Sequence, residues 1–166
     1  MTNITLPYFG TINSEELKAY YRIATEVNGR KLDLDINIEN KTIDQDRWAA
    51  IKYFLENIDI FNSQNKVLIK NDFENEGETV DYINFYLDEF DEDELANIID
   101  VKNKSIPSAI QLLNQLQLMR VGLYPDGENC FGVFDYTIYL DGEPCNQLLV
   151  VKTSENGGLD HITWES

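Results

Sequence analysis

The dipeptide Asn28-Gly29 constrains this chain more than any other short stretch, because it sits between two runs in which apolar and polar residues alternate. Asn-Gly is the sequence of a two-residue hairpin turn whose positive φ angles match the twist of the strands it joins. Such a loop fixes register. Thr25 then faces Leu32, Ile23 faces Leu34 and Tyr21 faces Ile36, while on the other face Glu26 meets Lys31 and Arg22 meets Asp35. One face is largely apolar and the other carries two opposite-charge pairs, so turn chemistry and period-2 patterning predict the same hairpin. Ile4 to Phe9 reads as a third strand, restricted by Pro7 to an edge or a strand end.

Past the hairpin the period becomes helical. Thr42 and Gln45 have the spacing of a capping box ahead of Trp48, Ile51, Phe54, Leu55, Ile58 and Phe61, which predicts one long amphipathic helix. A second helix is expected from Ser63 through Val67, Leu68 and Phe73, closing near Gly77. Val80, Ile83, Tyr86, Leu87 and Phe90 share one arc of a third. Asp91 and Glu94 form another capping box, flanked by Phe90 and Leu95 at hydrophobic-staple spacing, and Ser105 and Pro107 open a last helix through Ile110, Leu113 and Leu116.

The remainder predicts a β-meander with strands Leu118 to Tyr124, Phe131 to Leu140, Gln147 to Thr153 and Leu159 to Trp164. Its turns are Pro125-Asp126-Gly127, a four-residue loop from Asp141 to Pro144, and Asn156-Gly157. A two-residue loop at Asn156-Gly157 sets Val151 opposite Ile162 and Leu149 opposite Trp164, with Phe134 and Tyr136 beside them on a buried face. Asp135, Thr137, Tyr139, Lys152, His161 and Thr163 fall on the other face. The expected architecture is a single α+β domain over residues 1–166: an N-terminal antiparallel hairpin sheet, a central helical block and a C-terminal four-stranded antiparallel meander. Whether the two β regions join is left open by the sequence.

A hydrophobic content of 43% argues for a folded chain despite a formal charge of −17. That charge repels phosphate backbones and anionic headgroups, so no direct nucleic-acid or membrane partner is expected; a basic protein or a cation is the natural complement. Met1 to Gly10 has neither a basic n-region nor an apolar h-region, and no apolar run is long enough to span a bilayer, which predicts a cytoplasmic protein. Cys130 and Cys145 lack CxxC spacing and read as a reduced pair, with one bridge open to them in an oxidising compartment. No cofactor or metal is expected. Asp33, Asp35 and Asn37 alternate like calcium-loop ligands, but Ile38 stands where the sharp turn needs glycine, and a solvent-facing strand row explains them.

His161 is the only histidine, so histidine-based catalysis must use it. Lys152 opposite it disfavours the imidazolium, and Asp135 lies on the same face but displaced along and across the sheet. An enzyme is therefore the less favoured class.

From Asn71 to Val101 the chain has no Lys or Arg in 31 residues, yet holds 12 of its 30 acids. Asp91 to Glu94 are accounted for by capping and by the macrodipole of the helix they start. Phe85 lies outside the apolar arc, about 40° from Asp81 at ~100° per residue, beside Glu89 and with Tyr82 at the border. An apolar anchor ringed by carboxylates is the composition of a docking site for a basic protein, which singles out Asp81, Tyr82, Phe85, Asp88 and Glu89 as candidate partner-binding residues.

The two ends carry a resemblance. Thr5-Leu6-Pro7-Tyr8-Phe9-Gly10, Phe134-Asp135-Tyr136, Leu148-Leu149-Val150-Val151-Lys152 and the closing Asp160-His161-Ile162-Thr163-Trp164-Glu165-Ser166 together resemble an uncharacterised family of small acidic bacterial proteins, a domain of unknown function. That resemblance implies a bacterial, cytosolic, stand-alone domain and supplies no catalytic or binding residues. In size and charge the chain is more loosely similar to the immunity proteins of polymorphic toxin systems. The expectation is a non-enzymatic protein-binding module, immunity- or inhibitor-like; the alternatives are a nucleic-acid mimic blocking a nucleic-acid-binding protein, or a carboxylate- or metal-dependent enzyme.

Overall fold

The computed structural model describes residues 3–166. Met1 and Thr2, the first residues of the segment read for a leader, lie outside that range. The hairpin has the register that Asn28-Gly29 dictates. β3 (Tyr20–Val27) and β4 (Arg30–Asn37) pair Thr25 with Leu32, Ile23 with Leu34 and Tyr21 with Ile36, and Asn28 and Gly29 take φ of 52° and 78°. The expected third strand is instead a separate small hairpin, β1 (Asn3–Leu6) with β2 (Gly10–Asn13). Pro7 and Tyr8 turn the chain back: Tyr8 has φ of 67° and the Phe9 N–H donates to the Pro7 carbonyl.

Five helices follow. α1 (Gln45–Glu56) is capped by Asp44, whose carboxylate accepts from the Arg47 N–H at 2.8 Å, rather than by Thr42. The apolar row from Trp48 to Phe61 is buried as expected but is broken at Asn57, whose side-chain amide donates to the Tyr53 carbonyl and so replaces a backbone donor. α2 (Ile58–Glu74) therefore starts before Ser63, and it ends with Glu76, not glycine, in the left-handed region at φ 59°. Gly77 serves a different need: a Cβ there would lie 2.1 Å from the Asp72 carboxylate, which accepts from both the N–H and the hydroxyl of Thr79 in the first turn of α3 (Glu78–Glu89). α4 (Glu92–Ile98) has the Asp91–Glu94 capping box in both directions, and α5 (Ser108–Leu113) starts after Pro107. No helix among the described residues is long and apolar enough to cross a membrane.

The C-terminal meander is present as β5 (Gln117–Leu123), β6 (Gly132–Thr137), β9 (Leu148–Thr153) and β10 (Leu159–Glu165). Phe134 faces Val151, Tyr136 faces Leu149 and Val151 faces Ile162, as the pattern predicts. The turns differ. Asp141-Gly142 is the two-residue loop of a small hairpin, β7 (Tyr139–Leu140) with β8 (Glu143–Pro144), and a bulge between Leu159 and His161 absorbs the longer loop around Gly157.

The two β regions are not separate, and the sheet is mixed. β4 and β5 pair in parallel, Leu34 beside Val121 and Ile36 beside Leu123, giving one six-stranded sheet in the order β10-β9-β6-β5-β4-β3. Antiparallel patterning could not reveal this pairing. Parallel neighbours need a crossover that covers a face, and here the crossover is everything from Ile38 to Leu116, including all five helices. Those helices seal the face that carries Leu34, Ile36, Val121, Leu123, Phe134, Tyr136, Leu149 and Val151, each fully buried. Phe54 packs on Phe131 and Phe134 and occupies the space a side chain at Gly132 would need.

α3 is locked to the far end of this sheet by Tyr82 and Tyr86. The Tyr82 hydroxyl donates to the Gln147 carbonyl at 2.9 Å, the Gln147 N–H donates to the Tyr86 hydroxyl at 2.9 Å, and Tyr82 stands edge-on to Trp164. Burial pushes the Tyr86 phenol up to about 12, and raises Tyr82 further. An unfolded tyrosine loses its proton near pH ~10, so the stability these phenols contribute is complete below that and falls as pH rises toward the folded value. Chemical denaturation midpoints should thus be flat up to pH ~10 and drop above it. The drop should be shallower in Tyr86→Phe than in the native chain, and an identical alkaline limb in both would show that Tyr86 is not held protonated.

Candidate functional site

Two polar surfaces stand out, and they differ in whether their charges are already spent. The first is the outer side of α3 and α4. Glu78, Asp81, Phe85, Asp88 and Glu89 fall within about 100° of the helix circumference, with the four acids exposed and Phe85 half-buried. Phe85 is not free-standing: its ring packs on Tyr86 and on Trp164 at centroid distances of 5.1 and 5.3 Å. Tyr82 is a correction to the sequence reading. It is fully buried beneath the same helix, where its hydroxyl donates to the Gln147 carbonyl just before β9, and offers nothing to a partner. Among the 12 acids of the cation-free stretch, Asp72, Asp91, Glu94 and Asp100 accept hydrogen bonds from helix or turn groups. The other eight, Glu74, Glu76, Glu78, Asp81, Asp88, Glu89, Glu92 and Asp93, are all exposed. Every ion pair among the described residues lies elsewhere in the chain.

The second surface is the sheet face away from the helices. Its centre is Arg120 on β5. The guanidinium lies over Gly122, where a Cβ would come within 2.4 Å of it, and so reaches Asp35, the residue beside Gly122 on β4. Nε and one terminal nitrogen of Arg120 donate to the two oxygens of Asp35 at 2.6 and 2.9 Å, the other nitrogen donates to Asp135 on β6 at 3.1 Å, and Tyr124 accepts at 3.1 Å. Asn37 donates to Asp35 at 2.6 Å. Asp35 is therefore buried and shared, not one of a solvent-facing row, and Arg22 turns instead to Asp33 at 3.1 Å.

Burial works against the charge on Arg120, but its hydrogen bonds to Asp35 and Tyr124, together with the negative charges of Asp35 and Asp135, outweigh that and hold it more firmly protonated. Burial raises the Asp135 carboxyl while Arg120 opposes the rise. With four of five guanidinium hydrogens engaged, the group is a clamp across three strands rather than a receptor for an anion.

The residues weighed for catalysis line the same shallow hollow but are paired apart. Asp135 goes to Arg120, Lys152 goes to Glu165 at 3.3 Å, and His161 Nδ1 goes to its neighbour Asp160. No acid–base relay connects them. Cys130 stands at the start of β6, and the Cys145 N–H donates to the Ile138 carbonyl just past its end, so the length of that strand, roughly 20 Å, keeps the thiols too far apart to bridge. Among the described residues no three His, Cys, Asp or Glu side chains converge as metal ligands. Compared with protein-family models, with curated proteins and with solved structures, the chain matches none.

The clamp escaped the sequence reading because a lone arginine in a strand carries no motif; the nearest signal was Gly122 two residues on, a gap in an otherwise apolar strand. If Arg120 compensates Asp35, Arg120→Met should destabilise the fold by about 3 kcal/mol, since it strands a buried carboxylate. The double variant Arg120→Met/Asp35→Asn should lose less than the single one. A double variant that loses, in urea unfolding, the sum of the Arg120→Met and Asp35→Asn losses would show that the pair is not coupled.

Proposed function

We propose that this chain is a non-enzymatic protein-binding module of the immunity or inhibitor type, acting in the bacterial cytoplasm and docking a basic partner through the outer side of α3 and α4. The observation that carries the reading is the contrast between its two charged surfaces. Around the hollow on the open sheet face, Arg120, Asp35, Asp135, Lys152 and His161 are held in internal pairs. On α3 and α4, six exposed carboxylates have no cation among them.

Such an arrangement raises the free energy of the isolated protein by self-repulsion and is relieved when a positively charged surface approaches. Phe85 supplies the apolar component, half-exposed and backed by Trp164, so that it meets a partner in a fixed position. Asp81, Asp88 and Glu89 form the charged rim around it. The resemblance to small acidic bacterial proteins supports the bacterial, cytosolic setting alone, and the looser likeness in size and charge to immunity proteins supports the binding role.

The test is retention of proteins from a bacterial lysate on the immobilised native chain and on an Asp81→Lys/Asp88→Lys/Glu89→Lys variant. A basic protein held at low salt by the native chain, released by a salt step and held at least about tenfold less by the variant, is the expected result. Phe85→Ala should chiefly speed its dissociation. Equal retention on both columns would remove this face from the function, and displacement by arbitrary duplex DNA would reassign the surface to nucleic-acid mimicry.

A further inference from the structure

The two edges of the main sheet are finished differently. β10 is interrupted by a bulge at Asp160 and has α3 packed along it through Tyr82 and Phe85 on Trp164. β3, at the other edge, pairs with β4 through all eight of its residues without a bulge, contains neither proline nor glycine, and has no strand on its outer side among the described residues. Natural sheets blunt long open edges with bulges, prolines or charges pointed inward. β3 has no bulge, no proline and no charge pointed inward, and the two charges it carries outward, Arg22 and Glu26, are of opposite sign. Its side chains toward the helix layer are Tyr21, Ile23, Thr25 and Val27, and all four are only half-buried, while Tyr20 on the other face is 52% exposed.

The backbone polarity of this edge follows from the hairpin. Val27 and Arg30 flank the two-residue turn and the Ile38 N–H donates to the Ala19 carbonyl, so the odd-numbered residues of β3 bond to β4. Tyr20, Arg22, Ala24 and Glu26 therefore turn their N–H and C=O groups outward. Arg22 and Glu26 stand two residues either side of Ala24. An identical strand laid antiparallel and centred on Ala24 matches outward-facing groups with outward-facing groups, sets each Arg22 opposite the other copy's Glu26, and sets Tyr21 beside Val27 and Ile23 beside Thr25 on the apolar face. Shifting that register by two residues in either direction loses both charge pairs.

We propose that β3 is the interface between two copies of this chain, paired antiparallel about a two-fold axis at Ala24 so that their sheets run on as one. The pattern is self-complementary, which a strand shaped for an unrelated protein has no reason to be. Between Leu17 and Leu32 the chain has four cations, Lys18, Arg22, Arg30 and Lys31, to one acid, so the repulsion expected between two bodies of charge −17 is locally relieved. The interface leaves α3 free, since it packs on β10 at the opposite edge of the sheet, five strand spacings or roughly 24 Å away.

Analytical ultracentrifugation of the whole chain from about 1 to 100 µM tests this, because a dimer dissociates with dilution. The native protein should be a dimer at the upper end. Arg22→Glu and Glu26→Arg should each weaken self-association about tenfold or more, since each converts both cross-strand pairs to like-charge pairs. Mixing the two variants, or combining both changes in one chain, should restore it. Ala24→Pro should give a monomer with an unchanged far-ultraviolet spectrum, because that N–H takes no part in pairing with β4. A native chain that is monomeric throughout, or a dimer indifferent to both charge reversals, would overturn the proposal.

Discussion

The fold depends on the contact between β4 and β5, the place where the N-terminal hairpin and the C-terminal meander become one sheet. On the covered face the joint is apolar, with Leu34 and Ile36 beside Val121 and Leu123. On the open face it is held by Arg120, which binds Asp35 on β4 and Asp135 on β6 from its own position on β5. Gly122 is what lets the guanidinium lie flat against the sheet. A buried carboxylate is costly without a partner, so the clamp favours this one register over any slipped alternative that would leave Asp35 unpaired.

Because the joint is parallel, the chain leaves β4 at one end of the sheet and must cross to the opposite end before entering β5. All five helices lie on that return. They cover one face of the sheet completely enough to bury its central residues, and their own outer surfaces become most of the protein's exterior on that side. The acidity of α3 and α4 is a consequence of this placement as much as of composition. Tyr82, Tyr86 and Phe85 fasten α3 to Gln147 and Trp164, which leaves the arc bearing Asp81, Asp88 and Glu89 outward. Charges at the centre of the open sheet face are neutralised in place, and those on the outer arc of α3 and α4 are not.

Local rules made much of this legible. Asn28-Gly29 determined the β3–β4 register, and period-2 alternation placed Phe134 opposite Val151 and Val151 opposite Ile162 even though the connecting loops were of different lengths from those expected. The Asp91–Glu94 capping box was readable because both partners lie three residues apart. What escaped depended on distant residues or on competition between near-equal local choices. The β4–β5 pairing joins residues separated by the whole helical block. Asp35 looks like a surface residue until Arg120 is brought to it. Tyr82 sits at the border of the apolar arc, and only the docking of α3 on Trp164 decides that it faces inward. The break at Asn57 arises from one side-chain amide competing with the backbone inside an unbroken apolar pattern.

The fold requires the two β regions to form one sheet across the β4–β5 joint. Native-state amide hydrogen exchange, resolved by residue, measures this directly. Amides of Asp33 and Asp35 on β4 and of Val121 and Leu123 on β5, which face one another across the joint, should exchange only through global unfolding, with the same free energy and the same denaturant dependence. If β3 and β4 open at a lower free energy than β5, β6 and β9, the N-terminal hairpin is a separate unit and the clamp does not hold the fold together.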